Sequence, residues 1–143
     1  MIKVICVGKL KEKYLTDAIL EYSKRISKYT KLEIIELKDS DMNHEKDEIL
    51  KHIGKEYIIT LEIEGNSITS VDLANKIDNI FITNPNICFI IGGSDGLHDD
   101  IKKLSNYKLS FSKLTFPHQL FRVMLLEQIY RSFKILNNET YHK

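Results

Sequence analysis

Residues Phe89–Gly96, F-I-I-G-G-S-D-G, carry an apolar run that stops at a pair of glycines. A strand apolar at successive positions is covered on both faces, the condition of a parallel strand inside an α/β sheet. Glycine at its end lets a ligand lie against the main chain and permits turns with φ > 0. Leu109–His118, L-S-F-S-K-L-T-F-P-H, repeats the plan: a short strand, a bend, then Pro117 placed to open a helix. Two strand ends with such loops, one after the other, predict one small molecule held between them.

The rest of the chain alternates strand-like and helix-like patterns, the sequence sign of an α/β domain with a mainly parallel sheet flanked by helices. Strands are predicted over Ile2–Val7, Leu32–Leu37, Glu56–Ile63, Ile87–Ile91 and Tyr107–Phe111. Helices are predicted over Thr16–Tyr29, Asn43–Ile53, Ser70–Ile82, His98–Leu104 and Leu120–Leu136, with Thr16 and Ser70 as N-caps. No repeat, low-complexity tract or linker interrupts the 143 residues, which predicts one domain over 1–143. The last helix is apolar over more than half its circumference, from Leu120 and Phe121 through Ile135 and Leu136. A surface helix shows a narrower stripe. Either one side meets a partner chain, or the helix is covered on two sides within its own domain.

Hydrophobic residues make up 43% and charged residues 29%, as in an ordinary soluble protein. No apolar run approaches the ~20 residues of a membrane span. The chain opens directly on a strand pattern, so no signal peptide is expected. Cys6 and Cys88 lie in apolar strand patterns without C-x-x-C spacing, which predicts buried reduced thiols and a cytoplasmic protein. The net charge of +1 conceals an asymmetry. Residues 1–31 carry eight Lys/Arg against three acids, residues 32–100 five against fifteen, and residues 101–143 eight against two. A basic face for nucleic acid exists only if the two ends meet in space; otherwise these charges are solvated surface.

Several chemistries drop out. There is no G-x-x-x-x-G-K-[ST], and G-G-S-D-G is neither G-x-G-x-x-G nor the G-x-S-x-G elbow. The five histidines form no metal-ligand spacing, so no metal is expected. What remains is a site of main chain and apolar side chains: Leu61, Gly92 and the Phe111–Phe116 loop. Such a site suits a flat heteroaromatic ring such as adenine, whose edge pairs with backbone groups. Leu61 alone reads as a core strand residue; only the three segments together indicate a site. The chain ends Tyr141-His142-Lys143. That tail either frays or supplies an aromatic, an imidazole and an ammonium to a nucleotide.

Together, I-K-V-I-C-V-G-K, I-T-L-E-I-E-G, F-I-I-G-G-S-D-G-L-H, S-F-S-K-L-T-F-P-H-Q-L-F-R-V, E-Q-I-Y-R-S-F-K-I and the terminal Y-H-K resemble the RlmH-type family. These are the pseudouridine N3-methyltransferases of large-subunit ribosomal RNA, within the SPOUT (α/β-knot) class. The similarity runs nearly end to end; between about Lys38 and Tyr57 this chain is shorter than is usual for the family.

The resemblance implies a single-domain SPOUT fold with a C-terminal trefoil knot, an exception to the rule against knots. It implies S-adenosyl-L-methionine as methyl donor, contacted by Leu61, Gly92, Phe111, Ser112, Lys113, Leu114, Thr115 and Phe116. It implies a homodimer with the last helix in the interface and the tail of one subunit near the donor of the other. The substrate would be a pseudouridine in the helix 69 loop of 23S rRNA, in the assembled 70S ribosome. Direct transfer to N3 needs that nitrogen deprotonated, with His142 as base or orienting group and Tyr141 stacking on the base. Arg122 and Lys143 would contact phosphate or enolate, and His118 could serve equally as the base. The rival expectations are a SPOUT methyltransferase for tRNA or another rRNA nucleotide, and a ribosome-binding factor without catalysis.

Overall fold

The strands owe their place to an alternation that sends successive side chains to opposite faces. In the computed structural model, which describes residues 1–143, five strands form one wholly parallel sheet. They are β1 (Ile2–Val7), β2 (Leu32–Leu37), β3 (Tyr57–Ser67), β4 (Ile87–Ile91) and β5 (Tyr107–Ser110), in the spatial order β2-β1-β4-β3-β5. The helices are α1 (Lys13–Ile26), α2 (Met42–Leu50), α3 (Ser70–Thr83), α4 (Asp99–Leu104) and α5 (His118–Leu136).

Ile2, Val4, Cys6, Ile59, Ile87, Phe89 and Ile91 face a core shared with Ile19 and Ile26 of α1, Leu73 and Ile77 of α3, and Leu125, Leu126 and Ile129 of α5. Ile5, Val7, Ile58, Cys88 and Ile90 face a smaller core under α2 and α4, closed by Ile49 and Ile101. Every residue of β4 is buried, as its continuous apolar run requires. Both cysteines are buried free thiols.

Helix starts differ from the expected ones for local reasons. Thr16 lies one turn inside α1, its hydroxyl donating to the Glu12 carbonyl (3.4 Å), and Glu12 occupies the cap position with no side-chain bond. Thr69, not Ser70, caps α3 in a reciprocal box with Asp72, which frees the Ser70 hydroxyl to donate to Gln128 (2.8 Å). β3 does not end at Ile63. It pairs with β5 through Leu61, makes an excursion, and resumes pairing at Asn66. Gly65 permits this, because a Cβ there would meet the Lys108 carbonyl oxygen at 2.8 Å.

α5 runs between α1 and α3 and packs on both. Much of its broad apolar surface is therefore satisfied within the chain. Leu120 remains 42% exposed, with Phe121, Val123 and Met124 half-buried beside it. The same packing brings the two basic ends of the sequence together. Tyr29 donates to Glu139 (2.6 Å), and the Lys11 amide donates to Gln119 (3.3 Å). No helix is long and apolar enough to cross a membrane.

Candidate functional site

In an open parallel sheet, ligands settle beyond the carboxyl ends of the strands. Here the ends of β3, β4 and β5 border a cleft of about 550 Å³, within the range of small-molecule sites. Gly92 is buried directly after β4, where a Cβ would meet the Gly96 carbonyl carbon at 2.7 Å. Gly93 bridges to Gly96, whose φ of +80° closes the turn. The wall opposite is the loop after β5. Ser110 donates its hydroxyl to the Ser112 carbonyl (3.2 Å), and the Leu114 amide donates to the Ser112 hydroxyl (3.0 Å). Phe111 and Phe116 both lean on Phe121 of α5, with ring centroids 4.8 Å and 6.1 Å away. The loop's backbone is thus folded back on itself and its aromatic ends are anchored.

Leu61, Gly92, Phe111, Ser112, Leu114, Thr115, Phe116 and His118 all line this one cleft. Lys113, between Ser112 and Leu114, is exposed and lies outside the lining. Residues that the sequence did not single out complete the wall: Phe121, and the charged Glu62, Glu64, Asp95 and Lys102. Three carboxylates against one lysine give the rim a negative bias. Glu62 is fixed by the Thr60 hydroxyl, which donates to it at 2.6 Å. The lining offers apolar faces, main-chain groups at Gly92, Gly93 and Gly96, and an acidic rim. These fit a ligand with a flat ring and a cationic centre, and a side chain at Gly92 would press on the Gly96–Leu97 turn that shapes this wall. No cluster of His, Cys, Asp or Glu could hold a metal ion.

The other expected residues lie elsewhere. Arg122 is 1% exposed and pairs with Glu36, while its Nη2 donates to the Gly8 carbonyl (2.9 Å). It clamps α5 to the end of β1 and lines no part of the cleft, so the expected contact with phosphate or enolate is not available to it. The tail folds back on α5. Tyr141 donates its hydroxyl to Glu127 (3.0 Å), its ring meets Tyr130 edge-on at 4.9 Å, and Arg131 lies 4.9 Å over that ring. Burial, then the bond to Glu127, pushes the Tyr141 phenol up to about 12. Arg131 also contacts His142 Nδ1 at 3.0 Å. A guanidinium can only donate, so Nδ1 is the accepting atom of this contact. Lys143 is exposed at the end of this tail. Glu127 and Arg131 escaped the sequence reading, because an i, i+4 ion pair on a helix looks like any solvated face.

At 1.5 Å rise per residue, the Glu127–Arg131 anchor lies about 14–20 Å along α5 from His118 at the cleft. Within one chain, cleft and tail are separate.

A family model described as "Predicted SPOUT methyltransferase" matches residues 1–142. The chain is 56% identical over 157 aligned positions to the "Putative ribosomal RNA large subunit methyltransferase H" of Methanococcus maripaludis, covering 99% of both. It is 56% identical, again over 99% of both, to the "Ribosomal RNA large subunit methyltransferase H" of Clostridium botulinum. Among solved structures it resembles a tRNA (m1G37) methyltransferase from Aquifex aeolicus (TM-score 0.54, 14% identity, 91% of this chain and 69% of that one). It also resembles the SpoU methyltransferase AviRb from Streptomyces viridochromogenes in complex with AdoMet (TM-score 0.50, 10% identity, 92% of this chain and 57% of that one). At such low identity these structures speak for the fold alone.

Proposed function

The chain belongs to the SPOUT methyltransferase family, and from that membership we propose that it methylates N3 of a pseudouridine in the helix 69 loop of 23S rRNA, in the assembled ribosome. The donor in this reading is S-adenosyl-L-methionine, and the working unit is a homodimer of single-domain subunits. The observation that carries it is the meeting of Leu61, Gly92 and the Phe111–Phe116 loop in one cleft at the strand ends. The names of the relatives at 56% identity supply the ribosomal RNA substrate.

The donor, when bound, supplies a methyl group already activated on a sulfonium. The chain's own residues then position rather than activate. Main-chain groups at Gly92 and along the Phe111–Phe116 loop, with Leu61 and the phenylalanines, are the residues that would hold the donor's adenine. Glu62, Glu64 and Asp95 favour the cationic sulfonium and ammonium. N3 of the base must lose its proton, and an unfavourable ionisation by about two pKa units would cost about 2.7 kcal/mol. His142 is the proposed base or orienting group, Tyr141 the stacking partner and Lys143 the phosphate contact, with His118 the alternative base on the cleft itself. His142 Nδ1 is engaged by Arg131 in the tail's present position, so its service as a base requires that contact to loosen. The separation of cleft and tail along α5 supports a site completed by a second subunit, met through the exposed start of α5.

The test is transfer of labelled methyl from S-adenosyl-L-methionine to 70S ribosomes lacking the modification, beside free 23S rRNA and bulk tRNA, with the labelled nucleotide mapped. Label at a helix 69 pseudouridine of 70S particles is the expected result. Label on tRNA alone would overturn the substrate, and donor binding with no label anywhere would favour a binding factor.

A further inference from the structure

Between β1 and α1 the chain crosses the start of α5 in a loop, Gly8–Glu12, whose backbone is held from three sides. Gly8 turns with φ of +101°, donates its amide to Leu37 (2.7 Å) and accepts from Arg122 (2.9 Å). The Leu10 amide donates to Glu36 (3.2 Å), and the Lys11 amide donates to Gln119 (3.3 Å). This firmly tied loop presents Lys9 and Lys11 to solvent, both exposed and neither in an ion pair, whereas Lys13 is paired with Asp17. Glu36, which accepts from the Leu10 amide between them, is matched by the buried Arg122. Asp39 and Glu12 are the acids that remain alongside.

The loop's position gives these lysines a use. Gln119, which holds Lys11, follows His118 of the cleft lining directly in sequence. A polynucleotide that delivers a base past His118 would bring its backbone near that first turn of α5, and so near the loop bonded to Gln119. Contacts to phosphate fix register without reading sequence, which suits unpaired lysines on a fixed backbone. Holding the loop beforehand also lowers the ordering cost of binding.

We propose that Lys9 and Lys11 hold the phosphate backbone of the RNA whose base enters the cleft, with the Arg122–Glu36 clamp as the positioning device behind them. The proposal rests on the ribosomal RNA substrate argued above. The test compares K9Q/K11Q with K31Q/K55Q, a matched charge change at exposed lysines preceding β2 and β3, at the opposite end of the sheet. For each, kcat/KM for methyl transfer to 70S ribosomes is measured across KCl concentrations at fixed Mg²⁺, and S-adenosyl-L-methionine affinity by calorimetry.

For K9Q/K11Q we expect a raised KM and unchanged donor affinity. The slope of log(kcat/KM) against log[KCl] should become shallower by about 1.5, at roughly 0.7–0.9 per lost phosphate contact. The control should keep the wild-type slope. Equal changes in both doubles, no change in either, or a loss of donor affinity in K9Q/K11Q would each overturn the proposal. A wild-type protein that methylates no ribosomal RNA would overturn the substrate reading beneath it, an outcome read separately from the variants.

Discussion

A methyl group placed on Gly92 would sit 2.7 Å from the Gly96 carbonyl carbon and 2.8 Å from its oxygen, main-chain atoms that must shift to make room. Gly92→Ala is therefore expected to weaken S-adenosyl-L-methionine binding at least about tenfold by calorimetry, a cost of about 1.4 kcal/mol. Gly54→Ala, whose nearest neighbour is the flexible Glu56 carboxylate at 3.6 Å, should leave binding unchanged. The thiols make a second residue-scale prediction. Burial raises Cys6 to about 11 and Cys88 to about 12, from 9.0. The folded state thus keeps protons that the unfolded state releases first. Stability from this source is complete below pH 9 and is lost as pH rises toward 11–12. Urea midpoints should fall above pH 9 in wild type and fall less in a Cys6→Ala/Cys88→Ala double variant. At this scale the sequence displayed the cleft's glycines and phenylalanines, because Gly-Gly after an apolar run has few other uses. It hid Arg122, whose burial against Glu36 and Gly8 is a tertiary fact that no local pattern encodes. It hid Glu62 and Glu64 as well, since carboxylates along the exposed end of a strand look like ordinary solvated surface.

Among the elements, caps give the sharpest test of where α1 and α3 begin. Thr69 accepts from the Asp72 amide at 3.0 Å in a complete capping box, so Thr69→Ala should cost about 1 kcal/mol in urea unfolding. Thr16 sits a turn inside its helix, and Thr16→Ala should change stability by no more than about 0.5 kcal/mol. Equal costs would favour Thr16 as a cap after all. All five strands were legible from the alternation or continuity of apolar residues, and His98 does mark the start of α4, its Nδ1 accepting from the Asp100 amide. The pattern makes β3 too short, because a glycine such as Gly65 normally ends a strand, whereas here it allows Asn66 and Ser67 to rejoin β5. The order of strands was not legible at all. β4 separates β1 from β3 through contacts among residues far apart in sequence, and hydropathy periods carry no record of that choice.

For the whole molecule, the arrangement of charge and of the site follows from one packing event, the docking of α5 between α1 and α3. It unites two basic ends that the sequence shows apart, places His118 at the cleft, and carries Tyr141 and His142 away along the helix to Glu127 and Arg131. A site that needs both cleft and tail then needs two chains. Mixing two inactive partners tests this directly: a chain lacking residues 141–143 and a chain with Gly92→Val, combined under conditions that exchange subunits and assayed for labelled methyl transfer to 70S ribosomes. Each alone should be inactive. In an equal mixture half the dimers would pair an intact cleft with an intact tail at one site, restoring about a quarter of wild-type activity on a ribosomal RNA pseudouridine. Full activity of the tail-less chain by itself, or no recovery once exchange is verified, would contradict the two-chain site.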